Sequence, residues 1–285
     1  MSKFACEGGM SMNVGIIGTG NMGRILAEAL LDGKAVSPSA MIITNRTKSK
    51  AEEIKNIYEE IYVGENGRDV TERSSLIFVC VKPHDVHHVI KEISPCLTKE
   101  KCIVSITSPI SVKQLESIAD CSVARVIPSI TNRALTGVSL LSFGDCSSYW
   151  KKQIRSLFER ISKPIEIEEN ITRVASDIVS CGPAFFSYLT QRFILAAVKE
   201  TEIDQETATT LAEEMLMGMG ELMKKGFYTL PTLQEKVCVK GGITGEGIKV
   251  LENELGDVFE HVFQATHAKF KEDLEQVKKH YTIQT

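Results

Sequence analysis

The residues Gly18-Thr19-Gly20-Asn21-Met22-Gly23 constrain this chain more than any others. Apolar Val14-Gly15-Ile16-Ile17 runs straight into them, and Arg24-Ile25-Leu26-Ala27-Glu28-Ala29-Leu30-Leu31 follows with helical spacing. A strand, then glycines spaced G-x-G-x-x-G, then a helix is the order in which the pattern means dinucleotide binding rather than a glycine-rich turn. Gly18 allows a tight turn, Gly20 lets a pyrophosphate approach the backbone, and Gly23 lets the helix sit close on the sheet. The helix start offers unpaired N–H groups and a partial positive charge to phosphates. Gly18, Thr19, Gly20, Asn21 and Met22 are therefore the expected cofactor contacts on this loop.

Beyond Asp32-Gly33, residues 40–44 read as a second strand ending at Asn45-Arg46-Thr47. This end lies roughly twenty residues past the glycines, where an acid usually takes the ribose hydroxyls of NAD. Arg46 stands there instead, between an amide and a hydroxyl, a set suited to gripping a 2′-phosphate bidentately. The expected cofactor is NADP(H), with NAD(H) as the alternative. Residues 48–60 look helical. Residues 76–81 form a continuous apolar run, as in a parallel strand covered on both faces. That run ends in Val81-Lys82-Pro83, at the carboxyl edge where ligands of open α/β sheets sit. Residues 102–106 and 122–127 supply further strands, which break into Thr107-Ser108-Pro109 and Pro128-Ser129-Ile130-Thr131. Residues 137–143 and 165–167 extend the sheet, so residues 12–168 read as a doubly wound α/β domain.

From residue 169 strand signals stop. Residues 171–200 are apolar on more than one face and are interrupted at Gly182-Pro183, where the missing N–H of proline predicts a kink or a restart. Asp204 can cap the next helix. Ala208, Leu211, Ala212, Met215, Leu216 and Met219 recur in it at helical spacing, and Lys224-Lys225-Gly226 closes it. Apolar residues over 248–277 mark one long terminal helix. The fold class expected is thus an N-terminal doubly wound Rossmann-type domain followed by an all-α C-terminal domain over 169–285. Long apolar helices are hard to bury in one copy, so a homodimer or higher homo-oligomer is expected. Just before the terminal helix stands Lys240-Gly241-Gly242-Ile243-Thr244. It is either an ordinary glycine-rich connection or a set of converging N–H groups, with Thr244 as N-cap or ligand donor, able to hold a small carboxylate.

Composition removes several classes of function. Acids and bases are interspersed at a net charge of -4, which leaves no basic footprint for nucleic acid. No apolar run approaches the length of a membrane span. The eight cysteines include no C-x-x-C pair and read as reduced thiols of a cytosolic protein. His84, His87 and His88 have no carboxylate or cysteine at ligand spacing and read as solvated helix residues. Residues 1–11 lack the apolar centre of a secretory signal and read as an extension ahead of the first strand, expected to be poorly ordered.

Taken together, these stretches resemble the pyrroline-5-carboxylate reductase family over nearly the whole chain from Asn13 onward. Members carry a glycine loop like Gly18-Thr19-Gly20-Asn21-Met22, an Asn-Arg-Ser/Thr element like Asn45-Arg46-Thr47, and a turn like Val81-Lys82-Pro83. Gly182-Pro183-Ala184-Phe185 resembles the family's Gly-Pro-Ala-Tyr helix start, and Lys240-Gly241-Gly242-Ile243-Thr244 its Pro-Gly-Gly-x-Thr signature. The resemblance implies an NADPH- or NADH-dependent imine reductase with an interlocked helical dimer. On this basis the nicotinamide lies near Lys82-Pro83 and residues 105–108. Gly241, Gly242, Ile243 and Thr244 hold an imine carboxylate substrate, and Thr244 is the catalytic residue near the imine nitrogen.

The chain also departs from the family. Ile127-Pro128-Ser129-Ile130-Thr131 stands for the usual Met-Pro-Asn-Thr-Pro, Ser108-Pro109 for Ala-Gly, and Val239-Lys240 for Ser-Pro. Cys181 replaces a serine and Phe185 a tyrosine. This pattern resembles the family's late-competence-operon branch, and it leaves a non-catalytic dimeric NADP-binding regulator as the alternative function. The related β-hydroxyacid dehydrogenases use a lysine as general acid on the inter-domain helix. Residues 185–195 contain none, and a protonated imine needs no such proton shuttle.

Overall fold

Eight strands form one sheet in the computed structural model, which describes residues 12–279 and 281. The expected N-terminal extension over residues 1–11 lies outside the described residues. The strands are β1 (Val14–Ile17), β2 (Met41–Thr44), β3 (Tyr62–Val63), β4 (Leu76–Val79), β5 (Cys102–Ser105), β6 (Ser122–Ile127), β7 (Val138–Phe143) and β8 (Lys163–Glu166). Their order is β3-β2-β1-β4-β5-β6-β7-β8. β1 to β6 are parallel, β7 runs antiparallel to β6, and β8 is parallel to β7. The chain reverses its direction of sheet growth between β1 and β4, which makes their carboxyl ends the switch point of a doubly wound sheet.

Helices α1 (Asn21–Asp32), α2 (Lys48–Ile57), α3 (Gly67–Arg73), α4 (Pro83–Ile93), α5 (Val112–Glu116) and α6 (Ser148–Glu159) connect the strands. Successive strand residues point to opposite faces, and the core divides accordingly. Ile16, Ile43, Phe78, Val104 and Val126 pack with Leu26 and Leu30 of α1 and Ile154 and Phe158 of α6. Ile17, Ile42, Ile77, Val79 and Ile103 pack on the other side with Val70 of α3, Val86 and Ile90 of α4 and Leu115 of α5. Burial on both faces explains why these strands read as continuous apolar runs. β3 escaped the sequence reading because two residues carry no periodicity.

Two compact units are present: residues up to Cys181 together with those from Thr266 onward, and Gly182–Ala265. In the first unit α7 (Thr172–Ser176) continues into one wide π-helical turn, Asp177–Cys181, and then directly into α8 (Gly182–Glu200). The break expected at Gly182-Pro183 is this turn. Pro183 has no N–H for the carbonyl four residues earlier, that of Val179. Ser129 Oγ donates to that orphaned carbonyl at 2.8 Å, and Ser180 Oγ donates to Pro128 O at 3.0 Å. Buried Asp177 accepts from Arg173 Nη2 and from Thr266 Oγ1, each at 2.8 Å, which ties the last helix, α12 (Val258–Lys278), to this turn. Val277 of α12 and Tyr281 beyond it end in the core layer of α3 and α4.

The second unit holds α8, then α9 (Gln205–Lys224), α10 (Leu230–Val237) and α11 (Ile243–Glu254), and the start of α12. Asp204 caps α9 as expected, accepting from Thr207 N at 2.9 Å. The single terminal helix expected over 248–277 is corrected to two, α11 and α12. Gly256 breaks them at φ +47, a left-handed conformation that apolar spacing cannot reveal. Little of this unit is buried: Ile194, Ala208 and Ala212 form its small core. Phe193 is 68% exposed, Leu211 59% and Met217 57%. Among the described residues no helix is long and apolar enough to cross a membrane.

The Val179 carbonyl makes a testable demand on Ser129. Ser129→Ala leaves a partly buried carbonyl unpaired and should cost about 1 kcal/mol in urea unfolding. An unfolding midpoint equal to that of the starting protein would show that another donor serves the carbonyl.

Candidate cofactor site

Three loops meet the carboxyl edge of the adjacent strands β2, β1 and β4, and they carry every cofactor contact expected from sequence. The β1 loop is held from below. Gly18 adopts φ +99, and its N–H donates to Thr44 O at 2.8 Å. A β-carbon on Gly18 would stand 2.6 Å from Cys80 O, and one on Gly23 would overlap the Gly18 carbonyl oxygen. Helix and strand backbones therefore touch directly, as close helix–sheet packing in this motif requires. Burial pushes the Cys80 thiol well above its ordinary range, so it acts as a small packing group under the loop.

The β2 loop reaches over the glycines. Thr19 N–H donates to Asn45 Oδ1 at 2.9 Å, while Asn45 Nδ2 donates to Thr47 O at 3.0 Å. Asn45 is thus a strap holding the glycine loop, a role its position in sequence did not disclose. Arg46 projects from the same loop, exposed, and makes no hydrogen bond or ion pair among the described residues. On the β4 loop Val81 precedes Lys82, the residue at the start of α4, and Pro83 is the first helical residue. Proline suits this place because its missing N–H is one that the first turn leaves unpaired anyway.

These residues fit a dinucleotide on observations of their own. Gly20 stands at the N-terminus of α1 with no side-chain cap, and no acid lies in the first turn to offset the positive end of the helix. A β-carbon on Gly20 would meet nothing within 4 Å, so the loop opens outward at that α-carbon. Thr19 is buried and its Oγ1 has no hydrogen-bond partner among the described residues. Buried hydroxyls are nearly always satisfied, so an orphan beside an open helix N-terminus marks a place for an acceptor-rich ligand.

Sequence reasoning missed Arg125 of β6, a wholly buried guanidinium just beyond these loops. It donates to Ser108 O and Ile110 O, both at 3.2 Å, to Ser142 Oγ at 3.2 Å, to Thr172 Oγ1 at 2.8 Å and to both oxygens of Glu169. An arginine at the fourth place of a strand otherwise apolar after its first residue was the available signal.

The expected carboxylate-binding residues lie in the other unit. Gly241 adopts φ +76, Gly242 is the N-cap of α11 without a side-chain cap, and Ile243 is 92% exposed. Thr244 is not the N-cap: the helix starts one residue earlier because Gly242 already holds the extended cap conformation. Its exposed hydroxyl makes no hydrogen bond among the described residues.

A doubly wound sheet with this loop at its switch point, joined to a helical unit, defines a dinucleotide-binding oxidoreductase fold. A family model described as pyrroline-5-carboxylate reductase dimerisation matches residues 169–273, and one described as NADP oxidoreductase, coenzyme F420-dependent, matches residues 13–109. The chain is 54% identical over 273 residues to ComE operon protein 4 of Bacillus subtilis (strain 168), covering 95% of this chain and 100% of that one. It is 30% identical over 270 residues to Pyrroline-5-carboxylate reductase 3 of the same organism, covering 93% and 98%. A solved pyrroline carboxylate reductase from Plasmodium falciparum, described with NADP bound, has the same fold. Its TM-score is 0.80 at 23% identity, covering 94% of this chain and 100% of that one. The chain belongs to the pyrroline-5-carboxylate reductase family, with higher identity to the competence-operon protein than to the named reductase.

The glycines differ in what they tolerate. Gly23→Ala forces two backbones apart and should lower unfolding free energy by about 3 kcal/mol. Gly20→Ala fills open space and should cost at most about 1 kcal/mol, glycine's advantage over alanine at a cap. Urea unfolding of the two variants checks the order, which the geometry forbids to be reversed.

Proposed function

We propose that this protein is an NADP(H)-dependent reductase of a cyclic imine carboxylate, yielding proline or a related imino acid. The observation that carries this reading is the unsatisfied phosphate site: an uncapped helix start, the orphaned Thr19 hydroxyl, and the free guanidinium of Arg46 on the neighbouring loop. The first-turn N–H groups, including those of Asn21 and Met22, and Thr19 Oγ1 hold the pyrophosphate. Arg46 pairs with a 2′-phosphate, which selects NADP(H) over NAD(H). Val81, Lys82 and Pro83 border the other half of the cofactor. When bound, the cofactor supplies a hydride.

In the helical unit, residues 241–244 hold the substrate carboxylate through the N–H groups of Gly241 and Ile243 and the hydroxyl of Thr244, near the imine nitrogen, while the Gly242 N–H donates to Val239 O at 2.9 Å and shapes the turn. A protonated imine already carries the charge that hydride neutralises. Positioning therefore supplies most of the rate, and the absence of a lysine from residues 185–195 costs nothing. Exposed Phe193, Leu211 and Met217 are covered in a homodimer, in keeping with the match to a dimerisation model. A second reading, a non-catalytic NADP-binding regulator, is favoured by Cys181, Phe185 and Lys240, which depart from the family pattern in the substrate half.

Cofactor preference follows from Arg46. NADPH should bind about tenfold or more tightly than NADH, given what a charge-assisted hydrogen bond contributes, and Arg46→Ala should narrow the ratio. Calorimetric titration giving equal affinities in the starting protein would remove the 2′-phosphate role.

The chemistry is tested with pyrroline-5-carboxylate and NADPH, following loss of the reduced cofactor. Thr244→Ala should lower turnover or substrate affinity and leave NADPH binding intact. Cys181→Ser with Phe185→Tyr should raise activity. If neither the starting protein nor that double variant oxidises NADPH with any cyclic imino acid, the reductase reading falls and the regulator reading stands.

A further inference from the structure

Arg125 is a charge buried at a cost, and its partners show where that cost is spent. Its side chain is fully enclosed. Bringing a guanidinium into the interior costs several kcal/mol unless its donors are matched. Glu169 takes one bond from each terminal nitrogen, and the remaining bonds of the fork are distributed, with Nε unpaired among the described residues. Nη1 takes the carbonyls of Ser108 and Ile110 at 3.2 Å and Glu169 Oε1 at 3.1 Å. Nη2 takes Ser142 Oγ, Glu169 Oε2 and Thr172 Oγ1. The segment leaving β5 is thereby clamped to β7 and to the residues that lead into α7.

The clamped segment is also stiffened from within. Ser105 and Thr107, both buried, pair their hydroxyls at 3.0 Å, and Thr107 N–H donates back to Ser105 Oγ at 3.3 Å. β5 lies beside β4, on the side of the switch point away from β2. In a doubly wound sheet the two halves of a dinucleotide lie on opposite sides of that point. The adenosine half belongs to the β2 side, with Asn45 and Arg46. The nicotinamide half therefore falls to the β4–β5 side, where Arg125 holds the wall by its bonds to the Ser108 and Ile110 carbonyls.

We propose that Arg125 is a positioning residue for the nicotinamide half of the cofactor, setting the wall over Ser108 to Ile110 without touching the ligand. This rests on the reading of the first unit as an NADP(H) site. The two ends of the cofactor are then held by separable devices: the glycine and Asn45 loops at one end, and the Arg125 clamp at the other.

The test uses two ligands that differ only at the far end, NADPH and 2′-phospho-ADP-ribose, titrated calorimetrically into the full chain. Arg125→Met should bind NADPH at least about tenfold more weakly, because that half of the site is no longer preorganised. Its affinity for 2′-phospho-ADP-ribose should be unchanged, which also shows that the variant is folded. Arg125→Lys keeps the charge but lacks the fork, so it should show the same selective loss to a smaller degree. If the Met variant does not fold, the Lys variant decides. Equal loss for both ligands, or loss for neither, overturns the proposal by making Arg125 a general structural residue. A starting protein that binds neither ligand overturns the cofactor reading itself, a distinct result.

Discussion

Two stretches of backbone cross at the glycine loop with no space for a side chain between them. Gly23 lies against the Gly18 carbonyl, and Gly18 in turn lies against the carbonyl of Cys80. This contact fixes where α1 leaves the sheet. It leaves the positive end of the helix open at the switch point, beside an orphaned hydroxyl, rather than buried in a cap. The adjoining loops are ordered with respect to that crossing: Asn45 straps the β2 loop to Thr19, and the β4 loop supplies the Cys80 floor. A larger residue at either glycine would move the open helix end away from the sheet edge.

A parallel sheet places all its carboxyl-end loops on one edge, and their polar backbone must then be satisfied without closing the site. The chain does this with a few long-range donors. Arg125 serves carbonyls from the β5 loop, and Ser129 serves the Val179 carbonyl that Pro183 leaves without a helical partner. Both reach residues between 169 and 181, so the helical segment that leaves the first unit is anchored to the same edge that holds the cofactor loops. Ser129 stands where the resembling family usually has asparagine. The departure is thus absorbed into structure, since a hydroxyl suffices to donate to one carbonyl. Cys181 Sγ keeps a weak bond, accepting from Arg173 Nη2 at 3.5 Å, whereas Phe185 carries no group that could replace the lost hydroxyl.

Local patterns were legible where local physics decides. The glycine spacing, the apolar strands β1, β4, β5 and β6, and the Asp204 cap could be read because turn geometry, two-sided burial and capping are properties of a few adjacent residues. The two-residue β3, the break at Gly256 and the true cap of α11 could not, because each depends on a backbone conformation that side-chain pattern does not encode. Arg46 was legible as an exposed cation on a loop. Arg125 was not, because one arginine in a strand has no meaning until its partners, 15 to 47 residues away in the chain, are brought beside it.

By itself, then, the sequence determined the class of fold and the loop on which phosphates are expected, since these follow from short-range periodicity and from residues whose conformational freedom is distinctive, and its motifs carried the resemblance to the family. Only the tertiary structure decided that Asn45 is a strap, that Thr19 keeps an unpaired hydroxyl, that Val277 and Tyr281 end in the core of the first unit, and that Arg125 clamps the β5 loop. The reason is the same in each case. Hydrogen-bond satisfaction and burial are balanced over the whole fold, so the partner of a polar group is set by which segments meet in space, and sequence distance says nothing of that.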